Sequence, residues 1–121
     1  MNRPTRNAAL AWRVLDHIDA NPDQWDQEVW ISRSPGCGTA ACFAGWACLL
    51  SGDQPEFDTK FDSEADVVYA NGDVALVQFR AQKLLGVTAS EQDDLFALNN
   101  TREDLGNLVA EIFGPRPGGA A

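Results

Sequence analysis

One histidine, three cysteines, and nine lysines and arginines against eighteen acidic residues are what this 121-residue chain has to work with. Each scarcity closes a class of function. A net charge of -9 and a pI near 4.3 give a surface that repels phosphate, which argues against general nucleic-acid or anionic-membrane binding. DNA mimicry would call for denser charge. An odd number of cysteines, two of them in or beside an apolar run, makes no disulfide framework and points to a reduced, cytoplasmic protein. His17, Cys37, Cys42 and Cys48 lack the paired short spacings of zinc ligands, so no metal or cofactor is expected. The longest apolar run, Thr39 to Leu50, is far too short to span a membrane, and the polar residues Asn2 to Asn7 do not resemble a signal peptide.

What is present is enough for one domain with a single core. The stretch Cys37 to Leu50 reads as one helix with almost no polar face, started by Thr39 as N-cap after the break at Pro35-Gly36 and stopped at Ser51-Gly52-Asp53. A helix apolar all round must be buried. Residues 8 to 20 form an amphipathic helix with Ala11, Val14, Leu15 and Ile18 on one face, Trp12 at its shoulder, and His17 on the solvated side. Val29 to Ser32 alternates as a short strand would. Residues 53 to 73 read as an acidic loop with Phe57 and Phe61 as tacks. Asp58, Asp62, Glu64 and Asp66 lack the order and central glycine of a calcium loop. Asn71-Gly72 between two apolar runs predicts a hairpin. The last third is helical: Val77, Ala81, Leu84 and Leu85 stop at Gly86, Thr88 and Glu91 form a capping box, and Thr101 caps a final helix carrying Leu105, Leu108, Val109, Ile112 and Phe113.

Three groups of residues could carry function. Trp25 and Trp30 stand among Asp23, Asp26 and Glu28; with Trp46 they read as core and rim, or one of them stays exposed as a binding anchor. Gly36-Cys37-Gly38-Thr39 at a helix start would offer backbone N–H groups to a small anion and favour a Cys37 thiolate. A papain-like use of Cys37 needs a histidine far downstream, and His17 precedes it. Buried, unreactive cysteines are the simpler reading. Ala81 to Ser90 is similar to the first helix and turn of a helix-turn-helix DNA reader, but the second helix presents Glu91, Asp93 and Asp94 with no basic residue.

The phrase Cys37-Gly38-Thr39-Ala40-Ala41-Cys42-Phe43-Ala44-Gly45-Trp46-Ala47, with Trp30 upstream and Leu84-Leu85-Gly86-Val87-Thr88 and Leu95-Phe96 downstream, resembles a family of small uncharacterised proteins of actinobacteria and their phages. The resemblance implies a cytoplasmic accessory protein, phage-encoded in a mycobacterium-like host, and brings no catalytic residues with it.

The expected fold is mostly α: four or five helices around the central helix, with one small β-hairpin, as a single domain over residues 8–113 between a flexible N-terminus, 1–7, and a flexible tail, 114–121. The expected function is non-enzymatic binding of a host protein through Trp25, Trp30, Asp23, Asp26 and Glu28, by a monomer or homodimer. The alternatives are a nucleotide-like small molecule, or Cys37-dependent chemistry, at Gly36, Cys37, Gly38 and Thr39, and least of all DNA binding.

Overall fold

A computed structural model describes residues 6–34, 38–57 and 63–117. Five helices are found among them: α1 (Ala8–Ala20), α2 (Phe43–Leu50), α3 (Val77–Leu85), α4 (Ala89–Leu95) and α5 (Arg102–Phe113). Strands β1 (Ile31–Ser34), β2 (Gly38–Ala41) and β4 (Glu64–Ala65) form one antiparallel sheet in the order β2-β1-β4. A second antiparallel sheet runs β3 (Gln54–Pro55), β5 (Val67–Ala70), β6 (Asp73–Leu76) in the order β3-β5-β6. The fold is therefore mixed α+β, and the expectation of a mostly helical domain with one hairpin is corrected.

The correction has a physical cause. Gly38-Thr39-Ala40-Ala41 has the small-residue composition of a buried helix, but its backbone partners lie on β1, with Ile31 opposite Ala41 and Ser34 opposite Gly38. Ala41 is also bridged by Trp25, and its carbonyl accepts from the Asp26 N–H. Sheet pairing with distant residues outweighs local propensity here. The helix accordingly starts at Phe43, and Thr39 caps nothing. Glu64 and Ala65 join the same sheet through Ile31 and Ser32, so the acidic stretch is structured on both of its described sides. Phe61, Asp58 and Asp62 lie outside the described residues.

The central role of α2 does hold. Every side chain from Phe43 to Cys48 is buried, with α1 on one side and α3 on another. Gly45 explains how β1 comes so close: a Cβ there would sit 2.0 Å from the Trp30 carbonyl oxygen. The Asn71-Gly72 hairpin forms where its sequence places it, both residues having positive φ. Gly86 ends α3 in the left-handed conformation, and both capping boxes, Thr88/Glu91 and Thr101/Asp104, are made. Arg6 pairs with Glu91, and the Asn7 N–H bonds the Leu85 carbonyl, tying the start of α1 to the α3–α4 corner. No helix among the described residues is long and apolar enough to cross a membrane.

Candidate functional site

The site begins with the segment between α1 and β1. Pro22–Gln24 makes one 3₁₀ turn after Asn21 ends α1. Asp26 then turns the chain, its carboxylate accepting from the Glu28 N–H at 3.0 Å. This turn drives Gln27 inward. The buried Gln27 amide makes four hydrogen bonds: Oε1 accepts from Trp25 Nε1 (3.0 Å) and from the Phe43 N–H (3.1 Å), and Nε2 donates to the carbonyls of Leu95 (3.3 Å) and Ala97 (3.1 Å). One side chain thus ties the loop, the start of α2 and the end of α4 together. The Cys42 sulfur accepts from the Gly45 N–H at 3.5 Å. The first turn of α2 is satisfied by Gln27 and Cys42, which leaves no free helix start for an anion.

Between this loop and the end of α4 lies a cleft of about 280 Å³, walled by Trp30 and Val29 on one side and by Phe96, Ala97 and Leu98 on the other, with Cys42 and Gln27 at its base and Glu28 at its lip. Trp30 meets Phe96 edge to face, ring centroids 6.3 Å apart at 89°. Leu98 is 64% exposed beside it. Ala97 is shared with an open groove between α4 and α5 that carries Asp93, Asp94 and Asp104. Among the described residues no lysine or arginine lines either concavity. The result is an apolar slot with Glu28 on it and an acidic groove adjoining it at Ala97, next to the negative end of α4.

The structure brings together only part of the residues singled out from the sequence. Trp30 and Glu28 line the cleft; Trp25 is half-buried behind it on Gln27; Asp26 forms the turn; Asp23 is exposed in the 3₁₀ turn away from the lining. Gly36 and Cys37 lie outside the described residues, and Gly38 and Thr39 belong to β2, so the helix start expected at Thr39 is corrected to Phe43. Gln27, Phe96 and Leu98 were not legible as site residues, since a buried amide and the residues after a helix leave no periodic signal. His17 is not simply solvated: its ring packs on Trp46 at 4.0 Å and contacts Gln24 Oε1 at 3.0 Å. The Cys42 thiol is pushed up to about 11 by burial, and burial likewise raises that of Cys48, so neither is a nucleophile near neutral pH. No protein-family model, curated protein or solved structure matches the chain. Among the described residues no cluster of histidine, cysteine and carboxylate side chains could hold a metal ion.

Proposed function

We propose that this protein is a non-enzymatic binding module whose cleft takes one large apolar side chain of a partner protein while Glu28 and the adjoining acidic groove hold flanking lysines or arginines. The observation that carries this reading is an apolar cleft walled by half-buried Trp30 and exposed Leu98, with Glu28 on it, Asp93, Asp94 and Asp104 in the adjoining groove, and no lysine or arginine among the described residues that line either. A buried aromatic anchor with charge of one sign around it is how small interfaces obtain both affinity and steering. The resemblance to small proteins of actinobacteria and their phages supplies the setting: a phage-encoded accessory protein that occupies a host protein in the host cytoplasm.

Affinity purification from an actinobacterial lysate, with wild-type bait beside Leu98→Asp and Glu28→Lys baits, tests the proposal. One protein recovered near one-to-one on the wild type and lost on both variants supports it. Equal recovery on all three baits, or none on any, removes the cleft from the account. The same acidic faces weigh against DNA, and a mobility shift at low salt would overturn that exclusion.

A further inference from the structure

A different face of the molecule carries its own message. Among the described residues, four of the five exposed large apolar side chains lie between positions 69 and 79: Tyr69, Val74, Leu76 and Phe79. The hairpin register places Tyr69 opposite Val74 and Val67 opposite Leu76, which gathers Tyr69, Val74 and Leu76 on the outer face of the β3-β5-β6 sheet, while Phe79 stands on α3 beside Ala70, Asp73 and Ala75 of the other face. β6 is the last strand of that sheet, and it has none of the usual edge protection by lysine, proline or a bulge. With a two-residue turn, Ala70 and Asp73 form the first hydrogen-bonded pair and Val68 and Ala75 the next, so Val74 and Leu76 direct their backbone groups to the open edge.

We propose that the occupant of this edge is β6 of a second copy of the chain, paired antiparallel about Ala75 to give one continuous six-stranded sheet. In that register the Leu76 N–H of each copy donates to the Val74 carbonyl of the other, small Ala75 faces Ala75 at the twofold, and the outer apolar faces merge. Charge selects this partner and register. Residues 67–82 contain only two charged side chains, Asp73 and Arg80, so two chains of net charge -9 can meet here without stacking acids. The α3 helix starting at Val77 has no side-chain cap and no acid in its first turn, whereas Asp73 is exposed and, among the described residues, is in no ion pair, although Arg80 and Lys83 line the same hollow. Pairing about Ala75 sets Asp73 of each copy opposite Val77 of the other, on the inner sheet face under which α3 packs. The Val77 N–H already donates to the Asp66 carbonyl, so the carboxylate faces the N–H groups of the first turn that follow it, twice by symmetry.

Sedimentation equilibrium of the full chain, with amide hydrogen exchange of Val74 and Leu76, tests the pairing. The expected result is a particle of twice 13.1 kDa with the Leu76 amide protected. Val74→Lys, on the exposed outer face, and Asp73→Lys, beside the turn, should each weaken the dimer at least about tenfold and release that amide, with circular dichroism unchanged. A wild type that stays monomeric at about 100 µM overturns the proposal, as does a dimer that survives both substitutions. A dimer that dissociates instead on Leu98→Asp would place the contact at the cleft and overturn it equally.

Discussion

Gly45→Ala sets two effects of opposite sign against each other. In an exposed helix the change would stabilise by about 1 kcal/mol, because alanine is the better helix former. At position 45 the new Cβ would stand 2.0 Å from the Trp30 carbonyl oxygen, 2.7 Å from Ala41 Cβ and 3.1 Å from Ile31 Cγ1. A carbon and a carbonyl oxygen approach no closer than about 3.3 Å, so β1 or α2 must retreat by more than about 1 Å. Backbone cannot rotate out of the way as a side chain does. The Trp30 carbonyl also accepts from the Cys42 N–H at 3.4 Å, a bond the retreat would break. Overpacking of this kind costs about 1–3 kcal/mol or more; with backbone as the obstacle, a net loss of about 3 kcal/mol is expected, lowering Tm by about 10–15 °C in a domain of this size. Trp30 moves with β1, so the cleft should lose its partner as well. Gly106→Ala is the matched control: its Cβ meets no backbone, only Arg102 Nη1 at 2.8 Å, at the far end of a side chain whose Nε and Nη2 hold the exposed Asp19, so the gain in helix propensity of up to about 1 kcal/mol is offset only by what that surface pair loses. Thermal unfolding followed by far-UV circular dichroism decides the matter. An unchanged or higher Tm for Gly45→Ala would refute the close approach of α2 to β1.

Gln27→Leu should lower stability by about 2–4 kcal/mol in denaturant titration, since it strands the Phe43 N–H and the Trp25 indole and removes one of the two donors on each of the Leu95 and Ala97 carbonyls, which keep Asn100; a neutral effect would mean that water serves those groups equally well. Asp53 is 4% exposed and held by Arg80 through bonds of 2.8 and 3.2 Å, so Arg80→Met should cost about 3 kcal/mol, and adding Asp53→Asn should recover most of it. Additive losses would show that the two side chains do not act as a pair. Arg6 holds the Glu91 carboxyl below its ordinary value of 4.5, against the opposing effect of burial. The folded value lies below the unfolded one, so the stabilisation is complete above about pH 5 and is lost as pH falls through the folded value. Glu91→Gln, which can keep the capping bond to the Thr88 N–H, should flatten the acid limb of stability against pH; an unchanged slope would contradict the linkage.

Local punctuation was legible and long-range pairing was not. Asn71-Gly72, Gly86, the Thr88/Glu91 capping box and the Thr101 cap act within four residues of themselves, and each sits where the sequence places it; the reciprocal bond from the Thr101 N–H to Asp104 is added by the structure. The apolar stripes of α1 and α5 likewise report their own burial. Gly38 to Ala41 misled because alanine and glycine carry no strand signal, and what makes them a strand is Ile31–Ser34 beside them. The two-residue strands β3 and β4 are too short for any alternation to register. Within the candidate site, Trp30 and Glu28 were visible as an aromatic among acids. Leu98 follows the end of a helix and Gln27 stands among acids, and neither position carries a periodic signal. Their roles exist only because the α4 terminus folds back against residues 27–30, a contact across about seventy positions of chain.

An apolar slot with Glu28 on it and an acidic groove beside it should select a cationic segment with one large anchor. A random peptide display library selected on the immobilised wild-type protein, and counter-selected on Leu98→Asp, tests it most directly. The account predicts enriched peptides with one tryptophan, phenylalanine or leucine flanked by lysine or arginine, whose binding weakens with salt and with Glu28→Lys. Enrichment of acidic or uncharged peptides, or of sequences held equally by Leu98→Asp, would contradict it.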